Sequence, residues 1–218
     1  MKNPNYDTFL FDLGRVLVDF DHRISAGKVA ALTGKDIDWL YQLFFESKLT
    51  MAFDEGRISA RQFYAEIKKI TGLKISYDEF ASIWSDIFSE KTEVCDFVIA
   101  LKKDYRLVLV SNVNILQFEH IAKSFPVISY MDELILSYKV GAMKPAREIY
   151  EAAIKASRTD PQRIIYTDDR PELIEGGRLA GIKSSFVFKD LDGFKKDLEN
   201  IGVLTDEGES LAAYMGTP

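Results

Sequence analysis

The chain predicts an α/β protein, a doubly wound parallel sheet into which a helical cap is inserted. Three observations lead there. Short apolar runs that end on small or acidic residues alternate with helix-period segments from about residue 90 onward. One such run, Thr8 to Phe11, stands alone near the start, and everything between about residues 21 and 89 has helical periodicity only. Alternating strand and helix patterns imply parallel strands joined by right-handed crossovers, and an all-helical stretch between two such strands reads as an insert. The expected division is a core from 1–20 and 90–205, a cap from 21–89 and a polar, glycine-bearing tail from 206–218.

Thr8-Phe9-Leu10-Phe11 is apolar throughout, as a strand buried on both faces must be, and it stops at Asp12 before breaking at Leu13-Gly14. Open α/β sheets bind ligands beyond the carboxyl ends of their strands. Asp12 therefore either projects into that crevice or caps the turn that follows, which an aspartate also does well.

In the cap, Trp39, Leu40, Leu43 and Phe44 form one apolar stripe, and Ala60, Phe63, Tyr64 and Ile67 another. Ser59 with Gln62 and Ser76 with Glu79 have capping-box spacing, which predicts two of four short helix starts. Beyond the cap, a helix with Val94, Phe97, Val98 and Leu101 leads to a strand over Arg106–Ser111 that ends at Asn112. A helix over about 115–125 and a strand over Glu133–Ser137 follow. Lys144 precedes Pro145 in a loop, then come a helix to about Ser157, a strand from Arg163 to Asp168-Asp169, a helix over Glu172–Ala180 and a last strand over Ser184–Phe188.

Composition narrows the function. The 218 residues carry a net charge of −6, which argues against a general nucleic-acid or anionic-membrane binder. No apolar stretch has the length a membrane helix needs, and the N-terminus has no signal-peptide pattern, so a cytoplasmic protein is expected. The single cysteine, Cys95, lies among apolar residues at helical spacing and reads as a core thiol. Two histidines, His22 and His120, leave little from which to build a zinc site or a histidine-based triad.

The strand ends carry the chemistry. If the strands are neighbours, Asp12, Ser111-Asn112, Lys144 and Asp168-Asp169 converge on one edge of the sheet. Carboxylates suit a hard cation such as Mg²⁺, while a lysine and a hydroxyl suit the phosphate oxygens the metal leaves uncovered. That set points to Mg²⁺-assisted phosphoryl transfer. Taken singly, each residue has a plainer reading as a turn, a helix cap or a surface lysine.

These four positions, in this order, resemble the motifs of the haloacid dehalogenase superfamily over nearly the whole chain. Phe11-Asp12-Leu13-Gly14-Arg15-Val16-Leu17-Val18-Asp19 is similar to the first motif of a branch that includes sugar-phosphate phosphatases. The resemblance implies that Asp12 attacks a phosphate ester of a small metabolite and that the resulting aspartyl-phosphate is hydrolysed. Ser111, Asn112 and Lys144 would hold the phosphate, with Lys144 also catalytic. Mg²⁺ would be bound by Asp12, the Gly14 carbonyl and Asp169, with Asp168 beside it as an auxiliary ligand.

Two positions depart from the family pattern. Most phosphatases of the superfamily have an acid two residues after the nucleophile, where this chain has Gly14, and Leu173 stands where many relatives have a polar residue that orients the metal shell. General acid–base assistance contributes about 10²–10⁴-fold. A slow or inactive relative with a binding or regulatory role is therefore one alternative, and a metal-independent dehalogenase is another, although the acidic pair counts against the latter. Asp19, Asp21 and His22 are the candidates nearest in the chain to replace the acid. Arg23, Phe45, Lys48, Met51, Phe53 and Arg57 are the cap residues from which substrate contacts could come.

Overall fold

The computed structural model describes residues 3–204, so the expected tail lies outside the described residues. In chain order its elements are β1 (Thr8–Phe11), β2 (Val18–Phe20), α1 (His22–Thr33), α2 (Ile37–Phe45), α3 (Lys48–Asp54), α4 (Ala60–Thr71), α5 (Tyr77–Ser85) and β3 (Phe88–Glu90). They continue with α6 (Thr92–Leu101), β4 (Arg106–Ser111), α7 (Ile115–Ser124), β5 (Glu133–Leu136), α8 (Ser137–Val140) and α9 (Arg147–Ser157). The last are β6 (Ile164–Asp168), α10 (Pro171–Leu179), β7 (Ser184–Val187) and α11 (Leu191–Asn200).

Five parallel strands form the main sheet in the order β5-β4-β1-β6-β7. The chain leaves β1 to build one side through β4 and β5, then returns to build the other through β6 and β7. The order reverses about β1, so the crevice such a reversal opens lies at the carboxyl end of the first strand. Alternation along the strands sends side chains to two helical layers. Phe9, Phe11, Leu107, Leu109 and Ile165 pack with residues of α6, α7 and α11, whereas Leu10, Val108, Val110, Ile164 and Tyr166 pack with α9 and α10.

The cap has a core of its own, built by Val29, Leu40, Phe44, Phe53, Phe63, Phe80 and Trp84, and Leu116 of α7 enters it from the sheet domain. Both capping boxes form: Ser59 with Gln62 opens α4, and Ser76 with Glu79 opens α5. The insert holds five helices rather than the expected four. The break between α2 and α3 at Glu46-Ser47 has neither glycine nor proline to mark it, and the α3 start rests on the Ser47 hydroxyl accepting from Thr50 N–H. Further elements were not expected. Strands β2 and β3 pair antiparallel at the root of the cap, and α11 follows the last strand. Each ribbon strand is three residues long, too short for a period, and in α11 the apolar positions Leu191, Phe194 and Leu198 are diluted by charge. Among the described residues, no helix is long and apolar enough to cross a membrane.

Candidate active site

Asp12 continues β1 by one residue, and its N–H donates to Thr167 O at 3.0 Å, which brings it alongside Asp168 at the tip of β6. Between these two acids lies the ammonium of Lys144. Its Nζ donates to Asp12 Oδ1 at 2.6 Å, to Asp168 Oδ2 at 2.6 Å and to the Val110 carbonyl at 2.9 Å. Lys144 and Asp168 are fully buried and Asp12 nearly so. The cation is thus part of the site and not a surface charge.

Burial disfavours the ammonium, but the two carboxylates more than offset it, and the Lys144 pKa is raised. Asp12 is pushed up to about 7, chiefly by burial and further by Asp168, with Lys144 opposing. Asp169, half-buried, is also raised by burial and by the neighbouring Asp168. Asp12, Asp168 and Asp169 each offer a carboxylate oxygen, and these oxygens lie within 4.8 Å of one another. Three hard oxygen donors this close together, with the Asp12 and Asp169 carboxyls both pushed up, are a site short of positive charge, and they fit a divalent cation with oxygen preference.

The surrounding bonds divide the acidic pair. Asp168 is held at Oδ2 by Lys144 and by Tyr166 Oη at 2.6 Å, and at Oδ1 by Arg170 N–H at 3.1 Å. Tyr166 lies two residues before Asp168 on β6 and therefore on the same face. It fits flat beneath α10 because Gly177 has no side chain, since a Cβ there would lie 2.7 Å from the tyrosine ring. The period-2 spacing was a legible sign of this tyrosine, and sequence reasoning missed it.

Ser111 ends β4 and lines a cavity of about 130 Å³ between core and cap. Asn112 also borders it, but its amide is engaged with the Lys144 peptide, donating to Lys144 O at 2.9 Å and accepting from Lys144 N–H at 2.7 Å. Asn112 thereby fixes the loop that presents the lysine. Leu173, where a polar residue was noted to be missing, is buried in the first turn of α10, and its carbonyl accepts from Tyr150 Oη at 2.7 Å. The Cys95 thiol is buried, lies 3.3 Å from Leu17 O and is pushed up to about 12 by burial, as a core thiol would be.

Gly14 borders the same cavity, and the loop after it is closed by Leu17 and Val18 N–H groups on Leu13 O and by Arg15 N–H on Val18 O. Those bonds leave the Gly14 carbonyl out of the loop's ladder. Of the three residues nearest in sequence to the missing acid, Asp19 sits half-exposed beside Arg15 at 3.4 Å, and Asp21 caps α1 by accepting from Arg23 N–H at 2.9 Å. His22 stacks on Phe45 with ring centroids 3.6 Å apart, and burial together with Arg15 lowers its pKa to about 4, so it is neutral near pH 7.

The cap wall of the cavity is supplied by Phe45, Thr50, Asp54 and Trp84. Of the cap residues named from sequence, only Phe45 is among those lining it. Phe53 is buried in the cap core, and Arg23, Lys48, Met51 and Arg57 are exposed. Asp54 and Asn114 were not anticipated; no local pattern marks either, because their meeting joins the end of α3 to the start of α7.

A family model for haloacid dehalogenase-like hydrolases matches residues 10–187, from β1 through the last strand of the sheet. The chain belongs to that family. Among its relatives is the D-ribitol-5-phosphate phosphatase of Bacteroides thetaiotaomicron, 28% identical over 182 residues that cover 80% of this chain and 88% of the relative. Of solved structures, a haloacid dehalogenase family enzyme from the same organism, in complex with magnesium and inorganic phosphate, superposes with a TM-score of 0.78 at 23% identity, covering 87% of this chain and 98% of the other. A related hydrolase from Porphyromonas gingivalis gives 0.75 at 21% identity, with 92% and 99% covered. At those identities the structural likeness speaks for the fold.

Proposed function

We propose that this hydrolase is a Mg²⁺-dependent phosphatase acting on a small phosphorylated sugar or polyol through an aspartyl-phosphate on Asp12. The observation that carries the reading is the constellation of buried Asp12 and Asp168 and half-buried Asp169 at the carboxyl ends of β1 and β6, with buried Lys144 between the first two and the Ser111 hydroxyl at the end of β4. The polyol-phosphate phosphatase among its relatives supports the substrate class.

Asp12, the Gly14 carbonyl and Asp169 are the groups that would hold the ion, with Asp168 behind them and tied to Lys144, Tyr166 and Arg170 N–H. When bound, Mg²⁺ neutralises phosphate charge and favours the ionised form of the carboxylates around it. The Asp12 carboxylate attacks phosphorus while the Lys144 ammonium and the Ser111 hydroxyl face the equatorial oxygens, where charge is stabilised without solvent reorganisation. The cap forms one wall of the cavity, and water kept out on that side strengthens each of these interactions. Its small volume favours a compact leaving group.

The test is a panel of phosphorylated sugars and polyols, including D-ribitol 5-phosphate, assayed with Mg²⁺ and with chelator for wild type and Asp12→Asn. Phosphate release that needs both Mg²⁺ and Asp12 is expected. Turnover undiminished by chelator would defeat the metal assignment and favour the dehalogenase alternative.

A further inference from the structure

We propose that Asp54, from the cap, supplies the acid that the loop after Asp12 lacks. The inference rests on the phosphatase reading above and adds a catalytic residue to it.

The place beside Asp12 is closed to a substitute. A Cβ on Gly14 would lie 2.7 Å from Phe20 Cε1, so an aromatic ring fills the space a side chain there would need. That ring is itself packed against His22 at 4.7 Å and Phe88 at 6.0 Å between centroids. Asp19 and Asp21 are committed to Arg15 and to the α1 cap, and neutral His22 has no proton to spare near pH 7.

Asp54 stands on the other wall of the same cavity. Gly14 and Ser111 line it from the core side and Asp54 from the cap side, and the volume of about 130 Å³ leaves little room between them. A substrate whose phosphate lies at Ser111 and Asp12 therefore puts its ester oxygen and first carbons in the space that Asp54 overlooks. The carboxyl is anchored, not free to swing. Its Oδ1 accepts from Asn114 Nδ2 at 3.0 Å, and its main-chain carbonyl accepts from Ser137 Oγ at 2.6 Å. Asn114 in turn accepts from Trp84 Nε1 at 3.2 Å and from Gln117 N–H at 3.1 Å, and donates to Gln117 Oε1 at 2.9 Å. Among the described residues, no hydrogen bond reaches Asp54 Oδ2 and no cation pairs with the group, so that oxygen remains to carry a proton. Burial raises its pKa to about 6, against the Asn114 bond and with help from the Glu55 carboxylate, which suits a group that must give and take a proton near neutrality.

The chemistry balances in two steps. Asp12 Oδ forms a bond to phosphorus as the bond from phosphorus to the leaving oxygen breaks, and protonated Asp54 gives its proton to that oxygen, releasing the alcohol. Water then attacks phosphorus and the bond to Asp12 breaks. The water's proton passes to solvent, from which Asp54 regains its own, so that hydrogen phosphate leaves and both aspartates return to their starting states.

Asp54→Asn preserves shape and the acceptor for Asn114, and it is compared with wild type on 4-nitrophenyl phosphate, whose leaving group needs no proton, and on D-ribitol 5-phosphate, whose leaving group does. The expected result is a kcat lower by about 10²–10⁴-fold on the polyol ester with the aryl ester changed by less than about threefold. The retained aryl activity also shows that the variant is folded. Equal losses on both esters, a change confined to KM for the polyol ester, or no loss at all would overturn the assignment. Wild type inactive on both esters in Mg²⁺ would remove the phosphatase reading and this role with it.

Discussion

Tyr166 donates its hydroxyl to Asp168 Oδ2 at 2.6 Å, on the same oxygen that takes the Lys144 ammonium. With Arg170 N–H on Oδ1, the carboxylate is fixed by three donors before any metal binds, while Asp169 beside it is less buried. Asp168 is thus suited to holding Lys144 in place, and Asp169 to direct ligation. Removing the hydroxyl in Tyr166→Phe takes away a bond to a charged group, a loss of about 1.5–3 kcal/mol in stability. Denaturant unfolding should show it, and a Mg²⁺ titration of activity should shift to higher concentration. No change in either would mean that Lys144 alone orders Asp168.

Lys144→Met leaves Asp12 and Asp168 as two carboxylates in one buried site with nothing between them. Breaking a buried pair by removing one partner costs about 3–5 kcal/mol. The variant should unfold earlier in chelator, recover part of the loss in Mg²⁺ and have no phosphatase activity. Stability equal to wild type in chelator would contradict the buried geometry of the cation.

Two groups give stability opposite dependences on pH. In the metal-free protein the Asp12 pKa of about 7 lies above its unfolded value near 3.8, so the folded state binds the proton more tightly and stability falls as pH rises from about 4 towards 7. His22 behaves in reverse. Its folded pKa of about 4 lies below the unfolded 6.5, so its contribution is present above pH 6.5 and is lost as pH falls towards 4. Melting curves in chelator at pH 5 and pH 7 should therefore separate the variants. Asp12→Asn should gain on wild type at the higher pH, and His22→Gln should gain at the lower. Parallel curves for all three proteins would rule out both shifts.

Gly14→Asp, which restores the acid of related phosphatases, meets a steric obstacle and not a conformational one. Gly14 is not among the residues with left-handed backbone, but its Cβ would crowd Phe20. The single substitution should give little increase in polyol-ester turnover and some loss of stability, because overpacking costs about 1–3 kcal/mol. Combining it with Phe20→Ala should relieve the contact and let the new carboxyl work, most visibly in an Asp54→Asn background. A full gain from Gly14→Asp alone would show that Phe20 yields easily.

Much of the molecule follows from local pattern. The apolar runs of β1, β4 and β6 are the ones a buried parallel sheet requires, and both capping boxes form where Ser59 and Ser76 announce them. The places of Asp12, Ser111 and Asp168-Asp169 at strand ends were legible because strand ends in such folds are where polar groups are left without a sheet to join, and Lys144 was placed in a loop by the proline that follows it. Cys95 was equally plain, since a thiol at helical spacing among apolar residues has nowhere to go but the core.

Other features depend on residues far apart in the chain and have no local signature. The five-helix cap and its β2–β3 root depend on pairing across 68 residues, from Phe20 to Phe88, between strands too short to show a period. Only the packed structure brings the Phe20 ring over Gly14, engages the Asn112 amide with the Lys144 peptide, and sets Asp54 against Asn114. The sequence by itself determined which chemical groups stand at the strand tips, because that follows from chain-local periodicity. Tertiary structure decided which carboxylate oxygens of Asp12, Asp54 and Asp168 are engaged, which cap residues face the cavity and where an acid can reach it, because hydrogen bonds and close contacts are set by distances between elements that the sequence separates.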